Sequence, residues 1–510
     1  NPPWEAIKPV KKEFTHKSKF NVDVLEFEKW FNQQIEEDKD FSEAWEKYTG
    51  FYEQYSDYLK ENYSYQDAGD FNYYKIFIER DLQLIKKDGF LNLLVPSGIQ
   101  TDKGCSELRK LLIEENILSE LYSFENRGFY EKEGDRTKTK IFPDVDNRFK
   151  FSIILCQKSK PETNYTFKTK FYLHDPSSLY SDDFIEIDRE MIERFSPTNL
   201  SIMEFKTARD YELCCKIRNG KLLLEEHGYR FRTEFHMTND SHLFFPEGKK
   251  PSIPIALYEG KMIHQFNSSY SLPKFWLNEE QAKAELLEKE FFRIRQETSF
   301  DKDKISGIFS DNGYLLDYQS YRLVYRTIGR STDERTLISS ILPKNVFVGH
   351  SMNFLVNFFY DKKGKDTFIQ RKLADEDPLY LMALTNSVTL NYYIRNKISA
   401  NLTMNFIYEL PVPDISEKQK KSIAGLAFQL LYSKNDKGLF ETLGEELAFI
   451  PNENINEIHL RAELEVMIAK ELYRLTKEDW AYITSTFIYG DESDSKKELD
   501  EIISVSNEIF

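Results

Sequence analysis

Two hydrophobic periods alternate along this chain. Over residues 73–88, Tyr74, Phe77, Ile78, Leu82 and Ile85 recur at helical spacing, and Gly89 supplies the stop. The next run, residues 90–96, is short, apolar and ended by proline, which predicts a strand. Asp102 then predicts the cap of a helix reaching Glu115, with Cys105, Leu108 and Leu112 inward. Residues 117–124 and 151–156 predict two more strands. Strand, helix, strand and strand make half of an open α/β sheet. Ahead of it, residues 11–70 are rich in charge and aromatics. Leu25, Trp30, Phe31 and Ile35 give them only a ragged helical face.

A polar stretch over residues 157–200 reads as a boundary, with residues 161–200 as linker. Short strands and helices mix over residues 201–413. Asp377-Pro378 is a helix start, with Leu381, Leu384, Val388 and Tyr392 on one face. Pro411-Val412-Pro413 closes this region. Ser416 and Gln419 then form a capping box ahead of Ile423, Leu426, Ala427, Leu430 and Leu431. Two more amphipathic helices follow, one over residues 460–475 and one from Thr476 carrying Trp480, Ile483 and Phe487. The acidic tail from Asp491 reads as loose.

Composition narrows the class. The 510 residues allow three to four domains, and 40% hydrophobic against 30% charged side chains suits sizeable cores. Mean hydropathy is −0.57, and no apolar run nears the roughly 18 residues of a membrane span. Four cysteines, two of them adjacent, spell neither a disulfide framework nor a zinc ribbon, so a reducing cytoplasmic setting is expected. The opening lacks both a signal peptide's layout and an initiator Met, and it reads as part of something longer.

The net charge of −16 would disfavour a polyanionic partner if it were uniform. It is not. Residues 201–413 carry 29 basic and 27 acidic side chains, and the excess acid sits in the flanks. Arg322, Arg326, Arg330 and Arg335 cluster in that middle region. Phosphate binding needs local positive potential, not a basic whole. A solvated face of mixed charge fits the same composition.

The sharpest chemistry is in the first four residues, Asn1-Pro2-Pro3-Trp4. An exocyclic amine on a nucleobase is a poor nucleophile, because its lone pair is delocalised into the ring. A side-chain amide oxygen and a backbone carbonyl can accept both amine hydrogens and localise that pair. Asn1 offers the first acceptor. The Pro2 carbonyl offers the second, on a backbone stiffened by Pro2 and Pro3. Trp4 can stack on a base swung out of the duplex. Turn use of the same four residues is the plain alternative.

With the aromatic-rich helix, proline-ended strand, helix and two strands that follow, the chain resembles the gamma group of N6-adenine DNA methyltransferases. The likeness is to the kind fused to a target-recognition domain in type IIG restriction–modification enzymes. Asn1-Pro2-Pro3-Trp4 matches the catalytic tetrapeptide, and Phe71 to Glu79 and Lys87 to Ser97 resemble the helix and strand after it. Ile141-Phe142-Pro143 resembles the loop whose aromatic closes on the flipped base. The resemblance thus implies Phe142 as a second stacking wall, with Phe129, Tyr130 and Phe149 as nearby rivals. Leu257 to Phe266, Arg322 to Pro343 and Leu381 to Pro413 resemble segments of the recognition region, and residues 461–487 its helical end.

This resemblance implies an α/β fold: a partial Rossmann-like methyltransferase sheet lacking its N-terminal strands, over residues 1–160. A DNA target-recognition domain over 201–413 and a helical tail over 414–510 would follow. It implies S-adenosylmethionine as cofactor, with its Gly-rich turn and ribose-gripping acid upstream of the tetrapeptide, so that the chain alone would be inactive. It implies double-stranded DNA as partner, contacted by Lys261, His264, Arg322, Arg326, Arg330 and Arg335, and a possible nuclease domain or subunit of the same restriction–modification or phage-defence system.

Three rivals remain. A protein glutamine-N5 methyltransferase poses the same amide-nitrogen problem, though a small protein target needs no large reader. A non-catalytic specificity module would bind DNA without modifying it. Asp240 with Glu259-Gly260-Lys261 has the spacing of a metal-dependent nuclease, a pattern that arises easily in a charged chain. His16, His227, His236, His264 and His350 are too scattered for a metal site, and none is expected. Cys214-Cys215 reads as core on a helix over 211–219.

Overall fold

The computed structural model describes every residue except 16–23, 67–68, 132–137, 298–314, 364–366, 375, 399–400 and 488–493. His16 lies outside the described residues. The chain divides into two compact units, Asn1–Glu212 and Leu213–Phe510.

The first unit is built on a five-stranded sheet. Its strands are β1 (Phe90–Pro96), β2 (Ile117–Glu125), β3 (Lys150–Gln157), β4 (Thr166–Leu173) and β5 (Ile185–Asp188), in the order β1-β3-β2-β4-β5. β3 runs antiparallel to β1 and to β2, β2 is parallel to β4, and β4 is antiparallel to β5. The apolar run of β3 explains its interior place, since Phe151, Ile154 and Cys156 are buried between two partners. Each such side chain contributes about 1.5–3 kcal/mol relative to exposure.

Residues 161–200 are therefore not a linker. Phe167, Ile185 and Ile187 alternate inward from β4 and β5, and helix Arg189–Phe195 buries Ile192 and Phe195. Their polar neighbours are the outward half of a two-residue period and mask this in composition.

Helix Tyr73–Leu84 stops one turn earlier than its apolar spacing suggests. The segment after β1 also differs from expectation. Helix Ser106–Ile113 follows a turn of helix at Gly98–Thr101 and a tighter turn at Lys103–Cys105, and the Asp102 side chain caps none of them. Its carboxylate fills the space left by Gly98, where a Cβ would lie 2.2 Å from Oδ2. Burial pushes that carboxyl pKa up, against the pull of Arg109 and Lys75.

The second unit holds two four-stranded sheets and a helical layer. In one sheet, strand Arg322–Arg326 lies between Ser339–Leu342 and Met352–Leu355. Helix Asp377–Asn386 is buried on all sides, not on one face. Leu379 through Leu384 are apolar around the whole circumference, which is how a core helix reads. Asn386 and Asn391 anchor it and the next helix, Val388–Arg395, to the backbone of Ser339 and Leu337. Ser416 and Gln419 cap helix Glu417–Ser433 as expected.

Residues 414–510 cluster with the rest of this unit and do not form a separate tail. The stretch from Asp494 is helix Asp494–Ile509, with Leu499, Ile502 and Ser506 buried at helical spacing. Asp494, Asp500, Glu501 and Glu508 lie on the wet face of an amphipathic helix, whereas Glu498 is half-buried and pairs with Lys434 Nζ (2.7 Å). Among the described residues no helix is long and apolar enough to cross a membrane.

Candidate functional site

The opening residues form an extended strip along the first unit. Ala6 bridges Asn72, the Ile7 amide donates to the Phe71 carbonyl (2.7 Å), and the Tyr73 amide donates to the Glu5 carbonyl (3.2 Å). Ile7 is buried with Leu59 and Ile76 under a shell of tyrosines. These contacts fix the strip at the N-terminus of helix Tyr73–Leu84. Pro2 is buried, Asn1 and Pro3 are exposed, and Trp4 is half-buried. Asn72 Nδ2 donates to the Trp4 carbonyl (3.4 Å). Among the described residues, neither the Asn1 amide nor the Pro2 carbonyl is taken by a hydrogen bond. The Trp4 indole N–H is buried without a partner. The strip is thus held at its far end and leaves its two acceptors open.

Phe142 sits in the loop between β2 and β3. Its ring meets Phe151 edge-on at 5.0 Å, and Phe151 stacks on Phe124 at 5.2 Å. Tyr130 and Phe149 are exposed, whereas Phe142 is half-buried. Trp4 and Phe142 make no ring contact with each other.

Sequence reasoning missed Asn126. It is 1% exposed at the end of β2, and its amide binds the Phe142 backbone. It lies 16 residues from Phe142, so no local signal marks it.

In the second unit the expected DNA-contacting cations divide sharply. Arg322 is fully buried, with Nη1 on Glu234 Oε1 (2.8 Å), Nη2 on the Val346 carbonyl (2.6 Å) and its guanidinium over Phe354. Arg335 is buried, and its Nε donates to Gln265 Oε1 (2.9 Å). Burial and nearby Arg461 push its pKa down to about 10. Arg326 is half-buried and donates to the Ile263 carbonyl. Arg322 and Arg326 lie on an interior strand, and Arg335 is buried in the turn that leads to the next strand, so closeness in sequence does not put these arginines on the surface. Lys261 and Arg330 do face solvent. Lys261 keeps half its side chain exposed beside Glu259 (3.2 Å), and the Arg330 side chain makes no ion pair among the described residues.

His264 is partly covered, and its ring stacks on Tyr270 at 5.0 Å. Burial, then Arg326 and Arg335, push its pKa down to about 4, so it stays neutral near pH 7.

The nuclease pattern does not assemble. Asp240 Oδ2 accepts from the His236 amide (2.6 Å) and from Lys289 Nζ (2.9 Å). No group of three or more side chains that could hold a metal occurs among the described residues.

Comparison with known proteins supplies the class. Residues 43–129, which run from helix Lys39–Asn62 through β2, match the family described as the Eco57I restriction-modification methylase. Over those residues the chain is thus similar to restriction-modification methylases.

One curated protein that the chain is similar to is the type II restriction enzyme and methyltransferase RM.Eco57I of Escherichia coli. It is 30% identical over 138 residues, which are 27% of this chain and 13% of that protein. The chain therefore spans a small part of its curated relative. Among solved structures, the type IIL restriction-modification enzyme MmeI in complex with DNA overlaps at a TM-score of 0.43 with 13% identity, covering 85% of this chain and 54% of that one. A DrdV–DNA complex overlaps at 0.34 with 10% identity, covering 100% and 55%. The type IIG restriction endonuclease BpuSI overlaps at 0.27 with 12% identity, covering 87% and 50%.

Proposed function

We propose that this chain is the base-holding and DNA-reading part of a site-specific DNA methyltransferase acting on adenine N6. The system would be a restriction–modification or phage-defence system in the cytoplasm of a bacterium or archaeon. The observation that carries this reading is the pair of open acceptors, Asn1 and the Pro2 carbonyl, on an anchored strip beside a segment similar to restriction–modification methylases. Together they take both hydrogens of the amine and direct its lone pair out of the ring plane. Trp4 and Phe142 flank the extruded base. β1, β2 and β3 would be the second half of a methyltransferase sheet.

S-adenosylmethionine is the methyl donor that the family resemblance implies. The described residues do not fit it, since no Gly-rich turn opens a cradle. Gly98 follows a strand, but its missing side chain makes room for the Asp102 carboxylate. These residues account for holding the amine and not for delivering the methyl group, and the chain alone is expected to be inactive. Of the cations expected to contact DNA, Lys261 and Arg330 are the two left exposed to meet phosphates. A nuclease domain or subunit would complete the system.

The test is Asn1→Ala in the intact enzyme, with N6-methyladenine in unmodified bacteriophage DNA measured by mass spectrometry. Methylation should fall about 10²–10³-fold, the scale of removing one aimed hydrogen-bond partner. DNA binding in a gel shift should be unchanged. Retained methylation would remove Asn1 from the role.

A further inference from the structure

Asn126 has spent its whole side-chain amide on one loop. Oδ1 accepts from the Phe142 amide (3.0 Å), and Nδ2 donates to the Phe142 carbonyl (2.9 Å) and to the Val145 carbonyl (3.0 Å). The first two bonds form a reciprocal pair with a single residue, as a neighbouring strand would. Among the described residues no strand pairs with the loop at Phe142, and the Asn126 side chain makes the two bonds a strand would make. Its own backbone amide donates to the Phe149 carbonyl (3.1 Å), which closes the far end of the loop. Lys140 Nζ adds a bond to the Val145 carbonyl (3.2 Å).

The near end is closed at Gly128. The Phe129 amide donates to the Thr139 carbonyl (2.9 Å), and the Thr139 amide donates back (2.8 Å). A Cβ on Gly128 would lie 2.9 Å from the Thr139 carbonyl oxygen, and its φ of +80° suits glycine. The loop is thus tied at both ends, and its aromatic residue is pinned through both of its backbone polar groups.

Ring packing adds the remaining constraint. The Phe142 ring leans edge-on against Phe151, which is stacked on Phe124 within 4° of parallel. A wall that must receive a base gains from being fixed in advance, because ordering it during binding would draw on binding free energy. Only an amide supplies this set of bonds. A carboxylate could accept from the Phe142 amide but could not donate to the two carbonyls.

We propose that Asn126 is the positioning residue that presents Phe142 to the extruded base. This role rests on the methyltransferase reading above. Asn126 touches neither base nor methyl donor, and it acts only through the place it gives Phe142. Its removal should therefore be felt in the reacting complex more than in DNA capture.

The experiment uses the intact methyltransferase. Its probe is a duplex carrying 2-aminopurine at the adenine that sequencing of methylated DNA identifies. Asn126→Ala should lower kcat about ten- to hundredfold and leave KM for DNA within roughly threefold. It should change the 2-aminopurine fluorescence of the bound complex and speed hydrogen exchange at the Phe142 amide, with the amides of β1–β3 unaffected. In a Phe142→Ala background it should add nothing, since the two substitutions remove one device. If Asn126→Ala does not fold, Asn126→Asp, which keeps the acceptor and loses both donors, should give the same pattern in weaker form.

Additive losses in the double variant, or an unchanged 2-aminopurine signal, would overturn the proposal and leave Asn126 a support of the fold alone. Full methylation by Asn1→Ala, or no 2-aminopurine signal from the unaltered enzyme, would overturn it at the level of the site itself.

Discussion

The first unit leaves polar groups open where the second turns them inward. In the opening strip, Asn1 and the Pro2 carbonyl have no hydrogen-bond partner among the described residues, while residues 5–7 bear the work of anchoring. In the strand Arg322–Arg326, the charged groups meet Glu234, Val346 and Ile263 of their own unit. Both regions look like binding motifs in sequence. The difference is position. The exposed Asn1 amide can stay unpaired at little cost, because water serves it. A guanidinium inside a sheet cannot, because an unpaired buried charge is costly.

Three measurements would break or sharpen this contrast. The largest effect is expected at the buried pair. Arg322→Ala should destabilise the protein by about 3–5 kcal/mol, because it leaves Glu234 buried without its cation. Chemical denaturation monitored by circular dichroism would read this. A stable variant with weakened DNA binding would instead return Arg322 to the interface.

A smaller effect belongs to the exposed cations. Lys261→Ala and Arg330→Ala should leave stability within about 0.5 kcal/mol. Each should weaken DNA binding and lower the salt dependence of the binding constant by about one unit of slope. Unchanged salt slopes would place the phosphate contacts elsewhere.

The third effect is a trend with pH. The unfolded chain protonates His264 around its ordinary value of 6.5, whereas the folded chain does so only near 4. Between those values the unfolded state binds more protons, so stability should fall as pH drops from 7 toward 4. His264→Gln should flatten that part of the trend in denaturant midpoints. An unaltered trend would show that burial, with Arg326 and Arg335 nearby, does not hold His264 neutral.

Much of the secondary structure was legible. β1 and the capping box at Ser416 and Gln419 fall where the residues predict, because both depend on a few adjacent side chains. Longer-range features escaped. The linker expected over 161–200 became β4, β5 and a helix, because a strand half-exposed to water looks polar in composition. Of the tail expected from Asp491, the described part became a packed helix, Asp494–Ile509, for the same reason. Asn126 was invisible, since its meaning depends on a backbone 16 residues away.

What the sequence determined by itself is chemistry that lives in adjacent atoms. An amide, a proline-stiffened carbonyl and an indole within four residues carry their meaning wherever the strip lies. What only the tertiary structure decided is availability. Four arginines within fourteen residues are equivalent on paper. Folding buries Arg322 and Arg335, half-covers Arg326 and leaves Arg330 in water. The reason is that desolvation depends on which strands pair, and pairing is settled by contacts between residues far apart in the chain.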